Sequence, residues 1–224
     1  MRQCLVSIAL AAFALPAFAQ RVPVMSADEM QGLMPDGAQM ETRVDGDFNG
    51  DGETDTAFVW RSGKDGEEAR GLMVGVAYRN EFDMGHDPAG ELALDPFPLG
   101  SAALSVRKGV LIVEDLTGGT TATQSTRRYR YDAKQRKMRL IGIDAERYSR
   151  TNSHGTVKIS WNLLDGTHVV ERGEPNTDPK SAAALVYGKP ERTVRKSLPV
   201  WMEGTTDPDS LIDAEVVPDA EDRD

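Results

Sequence analysis

The sequence predicts a mainly β protein: a single antiparallel β domain with a short N-terminal helix and a disordered acidic tail. Three observations carry that expectation. Between residues 40 and 172, short β-prone runs recur, separated by turn residues such as Lys108-Gly109 and Asp165-Gly166, the pattern of antiparallel strands. No βαβ alternation and no glycine-rich phosphate loop interrupts them. Residues 203–224 are acidic and carry few apolar side chains, a composition that favours disorder.

The elements follow in order. Residues 1–19 read as a secretory signal peptide. Arg2 gives a positive start, an apolar run follows, and Ala17-Phe18-Ala19 is a cleavage signal that leaves Gln20 first in the exported chain. The run is too short to span a membrane. Cys4, the single cysteine, leaves with it. The exported protein then has no disulfide and must be held by its core or by a metal. These features place it in a bacterial periplasm or outside the cell.

Ser26 and Glu29 form a capping box, and Met30, Leu33 and Met34 share one helical face that Pro35 ends. Strands are expected over residues 54–61, 71–78, 102–107, 109–116, 121–131, 137–148, 157–164 and 167–171. A turn at 132–135 and a hairpin connection at 117–121 join three of them, 109–116, 121–131 and 137–148. Beyond Arg172, residues 174–179 read as a linker, 181–187 as a short helix and 192–200 as a last strand. The β domain thus runs over 20–202, long enough for one core.

Charge is unevenly distributed. The formal net charge is −10, and from Glu203 onward nine acids stand against one base, Arg223. The body is close to neutral, and phosphate would be repelled by the whole, so nucleic acid is not an expected partner. One region is basic. Arg127, Arg128, Arg130, Lys134, Arg136, Lys137 and Arg139 surround a lone Asp132. It reads as a solvated strand face, as a site for an anion or acidic polymer, or as a surface over which the acidic tail loosely folds back. Tyr129 and Tyr131 fall on the opposite, core-facing side by alternation.

The residues with the strongest chemical signal lie in DFNGDGETD, from Asp47 to Asp55. Asp47, Asn49 and Asp51 alternate, Gly52 permits a sharp turn, Glu53 offers its backbone carbonyl, and Asp55 closes the set. Calcium takes six to eight oxygen ligands of this kind. Without a cation, Asp47, Asp51, Glu53 and Asp55 would repel one another. Magnesium dehydrates reluctantly, and zinc or iron lacks the usual His or Cys. Phe58, at the twelfth position of the loop, cannot ligate as the EF-hand pattern requires. Residues 56–60 also read as a strand, where that motif needs a helix.

The loop resembles the calcium site of FG-GAP and VCBS-type β repeats, in which such a loop leads into a strand. It occurs once. Around it the chain is similar to a group of uncharacterised bacterial periplasmic β proteins. The shared features are this loop, Gly109-Val110-Leu111, a hairpin from Tyr129-Arg130-Tyr131-Asp132 to Leu140-Ile141-Gly142, and a hairpin over 162–166. The resemblance implies a small exported β domain, arranged as a sandwich, a meander or a partial propeller-like sheet. It implies no activity.

Catalytic signals are weak. His86, His154 and His168 lie in separate segments, and no G-x-S-x-G or H-E-x-x-H pattern is present. The expected function is therefore a non-enzymatic calcium-binding module, binding or structural, with an envelope protein or glycan as partner and a monomeric state. A cell-envelope hydrolase, or an inhibitor of a secreted enzyme, is the competing reading. A histidine beside a carboxylate in a pocket would favour the hydrolase.

Overall fold

The structure, a computed structural model, describes residues 21–63 and 67–216. The signal peptide expected over residues 1–19, its cleavage site, and tail residues 217–224 lie outside the described residues.

The capping box forms as expected. The Ser26 hydroxyl accepts from the Glu29 N–H and the Glu29 carboxylate accepts from the Ser26 N–H, opening α1 (Ala27–Leu33). Thirteen strands follow: β1 (Gln39–Gly46), β2 (Asp55–Ser62), β3 (Ala69–Arg79), β4 (Met84–Leu94), β5 (Ala103–Arg107), β6 (Val110–Gly118), β7 (Thr121–Asp132), β8 (Lys137–Ser149), β9 (Thr156–Asn162), β10 (Thr167–Pro175), β11 (Leu185–Tyr187), β12 (Glu191–Val194) and β13 (Val200–Trp201). A 3-10 turn at Met202–Gly204 and a helix, α2 (Pro208–Val216), complete the described chain.

The fold is mainly β and antiparallel, as the sequence predicts. One sheet has the order β1-β2-β3-β4. The other runs β11-β10-β9-β8-β7-β6-β5, with β12 paired to β10 and β13 to β8. Their facing sides share one core. Val59, Leu72, Val74 and Leu92 come from the small sheet; Leu111, Val113, Tyr129 and Ile143 come from the large one. β2 is buried on both faces, because α1 lays Met30 over Phe58 and Trp60 on the sheet's far side. Tyr129 is buried as alternation predicts, and burial pushes its hydroxyl pKa up to about 12.

A buried charge network ties the two sheets together. Glu41 sits at a bulge in β1, where the register shifts between Met40 and Thr42. Its carboxylate accepts from Arg70 of β3 at 2.8 Å, from Arg61 at 2.7 Å and from the Ala102 N–H at 2.7 Å. Arg70 also donates to Asp115 of β6. The Arg70 side chain is completely buried, and those of Glu41 and Asp115 nearly so. Desolvation pushes the Glu41 pKa up, but the bonds from Arg70, Ala102 and Arg61 outweigh it and hold the value at about 2. Such a network satisfies its members only as a set.

Several expectations are corrected. No helix forms over 181–187; its last residues become β11, and the expected strand over 192–200 is split into β12 and β13. β1 and β4 carry no clear sequence signal. β4 holds Gly85, Pro88 and Gly90, and Pro88 is tolerated because β4 is an edge strand with a bulge opposite Val74 and Gly75.

The larger correction concerns the tail. Residues 208–216, expected to be disordered, form α2 and dock on the inner face of β8 and β9. Ile212 is completely buried there against Ala145 and Ile159. Apolar contact alone does not hold it. Arg147 of β8 pairs with Asp209 at 2.8 Å and with Asp213 at 2.6 Å. Arg172 donates to the Glu215 carbonyl at 2.9 Å, and Arg195 pairs with the Glu215 carboxylate. Arg172 and Arg195 sit at the helix C-terminus, where the dipole favours cations, whereas Arg147 reaches its first turn through Asp209. The tail therefore folds back onto Arg147, Arg172 and Arg195. The basic hairpin contributes one ion pair to it, Lys137 with Glu203 at 3.3 Å.

Candidate functional site

The acidic loop connects β1 to β2 at the end of the small sheet. Phe48 is buried in the shared core and anchors it. Gly50 and Gly52 both adopt positive φ, 82° and 84°, which lets the chain reverse twice in four residues.

The five candidate ligands fall into three groups. Asp47, Asn49 and Asp51 form the rim. Asp47 accepts from the N–H groups of Gly50 at 2.6 Å and Gly52 at 3.0 Å. The Asn49 amide donates to Asp51 at 2.8 Å, and its carbonyl oxygen accepts from the Asp51 N–H at 2.9 Å. Asp51 in turn accepts from the Glu53 N–H at 2.8 Å. Asp55 is different: it is completely buried. One of its oxygens accepts from the Phe48 N–H at 2.6 Å and the other from the Ala77 N–H of β3 at 2.8 Å. Glu53 turns away, accepting from the Val22 N–H at 3.0 Å and pairing with Arg79. Its side chain thus ties the N-terminal segment and β3 to the loop.

The electrostatics centre on Asp55. Burial raises its pKa, the N–H groups of Phe48 and Ala77 lower it, and the nearby Asp51 charge raises it again. A buried carboxylate held by two neutral donors beside another carboxylate gains from a cation. The donor set is all oxygen, as a hard cation requires. Each carboxylate oxygen has two lone-pair directions, and the N–H bonds above use one apiece at Asp55. Among the described residues, however, no three His, Cys, Asp or Glu side chains are grouped so as to hold a metal ion. Asp47 and Asp51 are occupied with the loop's own backbone.

A polar cleft of about 590 Å3 opens beside the loop, lined by Asn49, Asp51, Arg79, Asp87, Tyr131 and Arg136. Asp87 and Arg136 form an ion pair across it. A second groove, of about 380 Å3, crosses the outer face of the large sheet past Gln124, Asp144, Glu146, Lys158, Glu171 and Arg192. Here Lys158 is paired with Glu146 at 3.4 Å and lies 4.7 Å from the Tyr187 ring centre.

The histidines do not line these clefts. His154 is bonded to Thr121 and to the Gly155 carbonyl, each at 2.7 Å. His168 is buried under α2, edge-on to Trp161 and 3.8 Å from Glu215. Its pKa is lowered by burial and by Arg195, with Glu215 opposing. His86 joins Glu29 of α1 to the Thr54 carbonyl. All three act as structural links between segments.

Sequence reasoning did not single out Glu41, Arg70 or Asp115, since isolated charges in β runs look like solvent-facing positions. No helix of the described residues is long and apolar enough to cross a membrane. Compared with family models, with curated proteins and with solved structures, the chain matches none.

Proposed function

We propose that this chain is an exported, calcium-stabilised β module of the bacterial cell envelope, acting by binding or as a structural part rather than as a catalyst. The observation that carries the reading is Asp55. It is a buried carboxylate, bonded to two backbone N–H groups and close enough to Asp51 for that charge to raise its pKa. Asp47, Asn49, Asp51 and Asp55 would hold the ion by side-chain oxygens and Glu53 by its backbone carbonyl. Bound calcium supplies the positive charge that the loop lacks.

The chain's own residues convert that charge into rigidity. Asp55 already fixes Phe48 at the start of the loop and Ala77 in β3, so a cation that offsets the cost of burying its charge stabilises the tie between β1, β2 and β3. Glu53 extends the same tie to Val22. Binding requires Asp47 and Asp51 to exchange some backbone bonds for the ion, so affinity in the weak range of extracellular modules, about 10⁻⁴ to 10⁻³ M, is expected. The hydrolase reading gains no support from His154 or His168, whose ring nitrogens face partners within the fold.

Thermal melting of the exported chain tests the proposal. An ion that binds only the native state raises stability by mass action, by about 2.7 kcal/mol at one hundred times its Kd. The melting temperature should rise with millimolar calcium, rise less with magnesium and fall with chelator. Equal melting temperatures in all three conditions would refute it.

A further inference from the structure

The outer face of the large sheet carries a row of arginines in register. Arg107 of β5 is opposite Val110 of β6, Val110 is opposite Arg130 of β7, and Arg130 is opposite Arg139 of β8. Arg139 in turn is opposite Trp201 of β13. Like charges directly across a strand pair destabilise a sheet. Arg107 and Arg130 are exposed, Arg139 is half-buried, and its Nε is buried without a hydrogen-bond partner. Neighbouring bases on the same face have found carboxylates, Arg128 with Asp144 at 2.7 Å and Lys137 with Glu203. Among the described residues Arg107, Arg130 and Arg139 form no ion pair.

We propose that this row binds a linear acidic polysaccharide lying across the strands. Three features fit that occupant. Adjacent strands are about 4.8 Å apart, so Arg130 and Arg139 offer charges at a spacing close to one acidic group per sugar, with Arg107 two strands further on. Guanidinium groups take carboxylate and sulfate oxygens in pairs. The row ends at Trp201, which lines a shallow depression of about 450 Å3 with Pro199, Val200 and Lys137; an indole there gives a sugar face an apolar platform. With a net charge of −10 on the whole chain, attraction for a polyanion requires a local concentration of bases such as this band. The inference deepens the binding role proposed above and does not depend on the calcium loop.

Calorimetric titration tests it, at about 50 mM salt and with calcium present throughout. The probes are chondroitin sulfate, with an acidic group on each sugar; hyaluronate, with one on every second sugar; neutral dextran; and phosphatidylglycerol vesicles. Vesicles are included because Leu198, 86 % exposed, lies just before β13. The exported chain should bind chondroitin sulfate, hyaluronate more weakly and dextran not at all, with affinity falling as salt rises. Arg130→Gln with Arg139→Gln should weaken chondroitin sulfate binding about tenfold or more. The same pair should leave the melting temperature unchanged or raise it, since a repulsive contact is removed. Three outcomes overturn the proposal: no glycan binding, equal binding by wild type and double variant, or arginine-dependent uptake by vesicles without glycan binding. Calcium-dependent melting with no glycan binding would end this inference and leave the loop reading intact.

Discussion

Arg70 of β3 and Asp115 of β6 belong to different sheets, forty-five positions apart, and meet through hydrogen bonds of 2.9 and 3.0 Å. The same guanidinium holds Glu41 with two more bonds, each of 2.8 Å. One arginine therefore bonds two buried carboxylates, with Arg61 as a second cation at Glu41, and joins the two layers of the sandwich.

Removing Arg70 should be among the most damaging single changes. Arg70→Met leaves Glu41 and Asp115 buried with one fewer cation, at a cost of about 3–5 kcal/mol. Urea denaturation measures it. Adding Asp115→Asn to the variant should recover part of the loss, because an uncompensated charge is removed. A cost below about 1 kcal/mol for Arg70→Met would show that the network contributes little.

Glu41 makes a prediction about acid. Its pKa is held at about 2 in the folded protein, against an ordinary 4.5. The folded state therefore releases this proton more readily than the unfolded state does. The stabilisation is complete above pH 4.5 and is lost as pH falls toward 2. The melting temperature of Glu41→Gln, lower than wild type at neutral pH, should converge on it through that window. Parallel curves would exclude this linkage.

The C-terminal helix should be integral to the domain. Ile212→Ala opens a cavity against Ala145 and Ile159 and should cost about 2–5 kcal/mol. Arg147→Met removes the partner of both Asp209 and Asp213 and should raise amide exchange across α2 before it affects the strands. Uniform exchange rates in wild type and variant would contradict this account of docking.

The strands were legible where alternation was strong. Residues 121–131 place Tyr129 inside and Arg130 outside, and the register does the same. Lys108-Gly109 marks a tight turn, and both residues adopt positive φ. β4 was not legible because its glycines and proline imitate a loop, and only its partner β3 makes it a strand. α2 was missed for a related reason. Its own apolar face is small, and the arginines that hold it lie far back in the chain: Arg147 in β8, Arg172 in β10 and Arg195 just after β12. In the site, the ligand spacing of 47–55 was legible. That Asp55 turns inward to bind Phe48 and Ala77, while Glu53 leaves the loop for Arg79 and Val22, depends on β3 and the N-terminal segment, which no local window contains.

Direct titration of calcium into chelator-stripped protein tests the central claim, read by calorimetry beside the same titration of Asp51→Asn. The account predicts one site per chain with a Kd in the range of about 10⁻⁴ to 10⁻³ M, weakened about tenfold or more by the substitution as one charged ligand is lost. No saturable heat from the unsubstituted protein, or an isotherm that Asp51→Asn leaves unchanged, would contradict it.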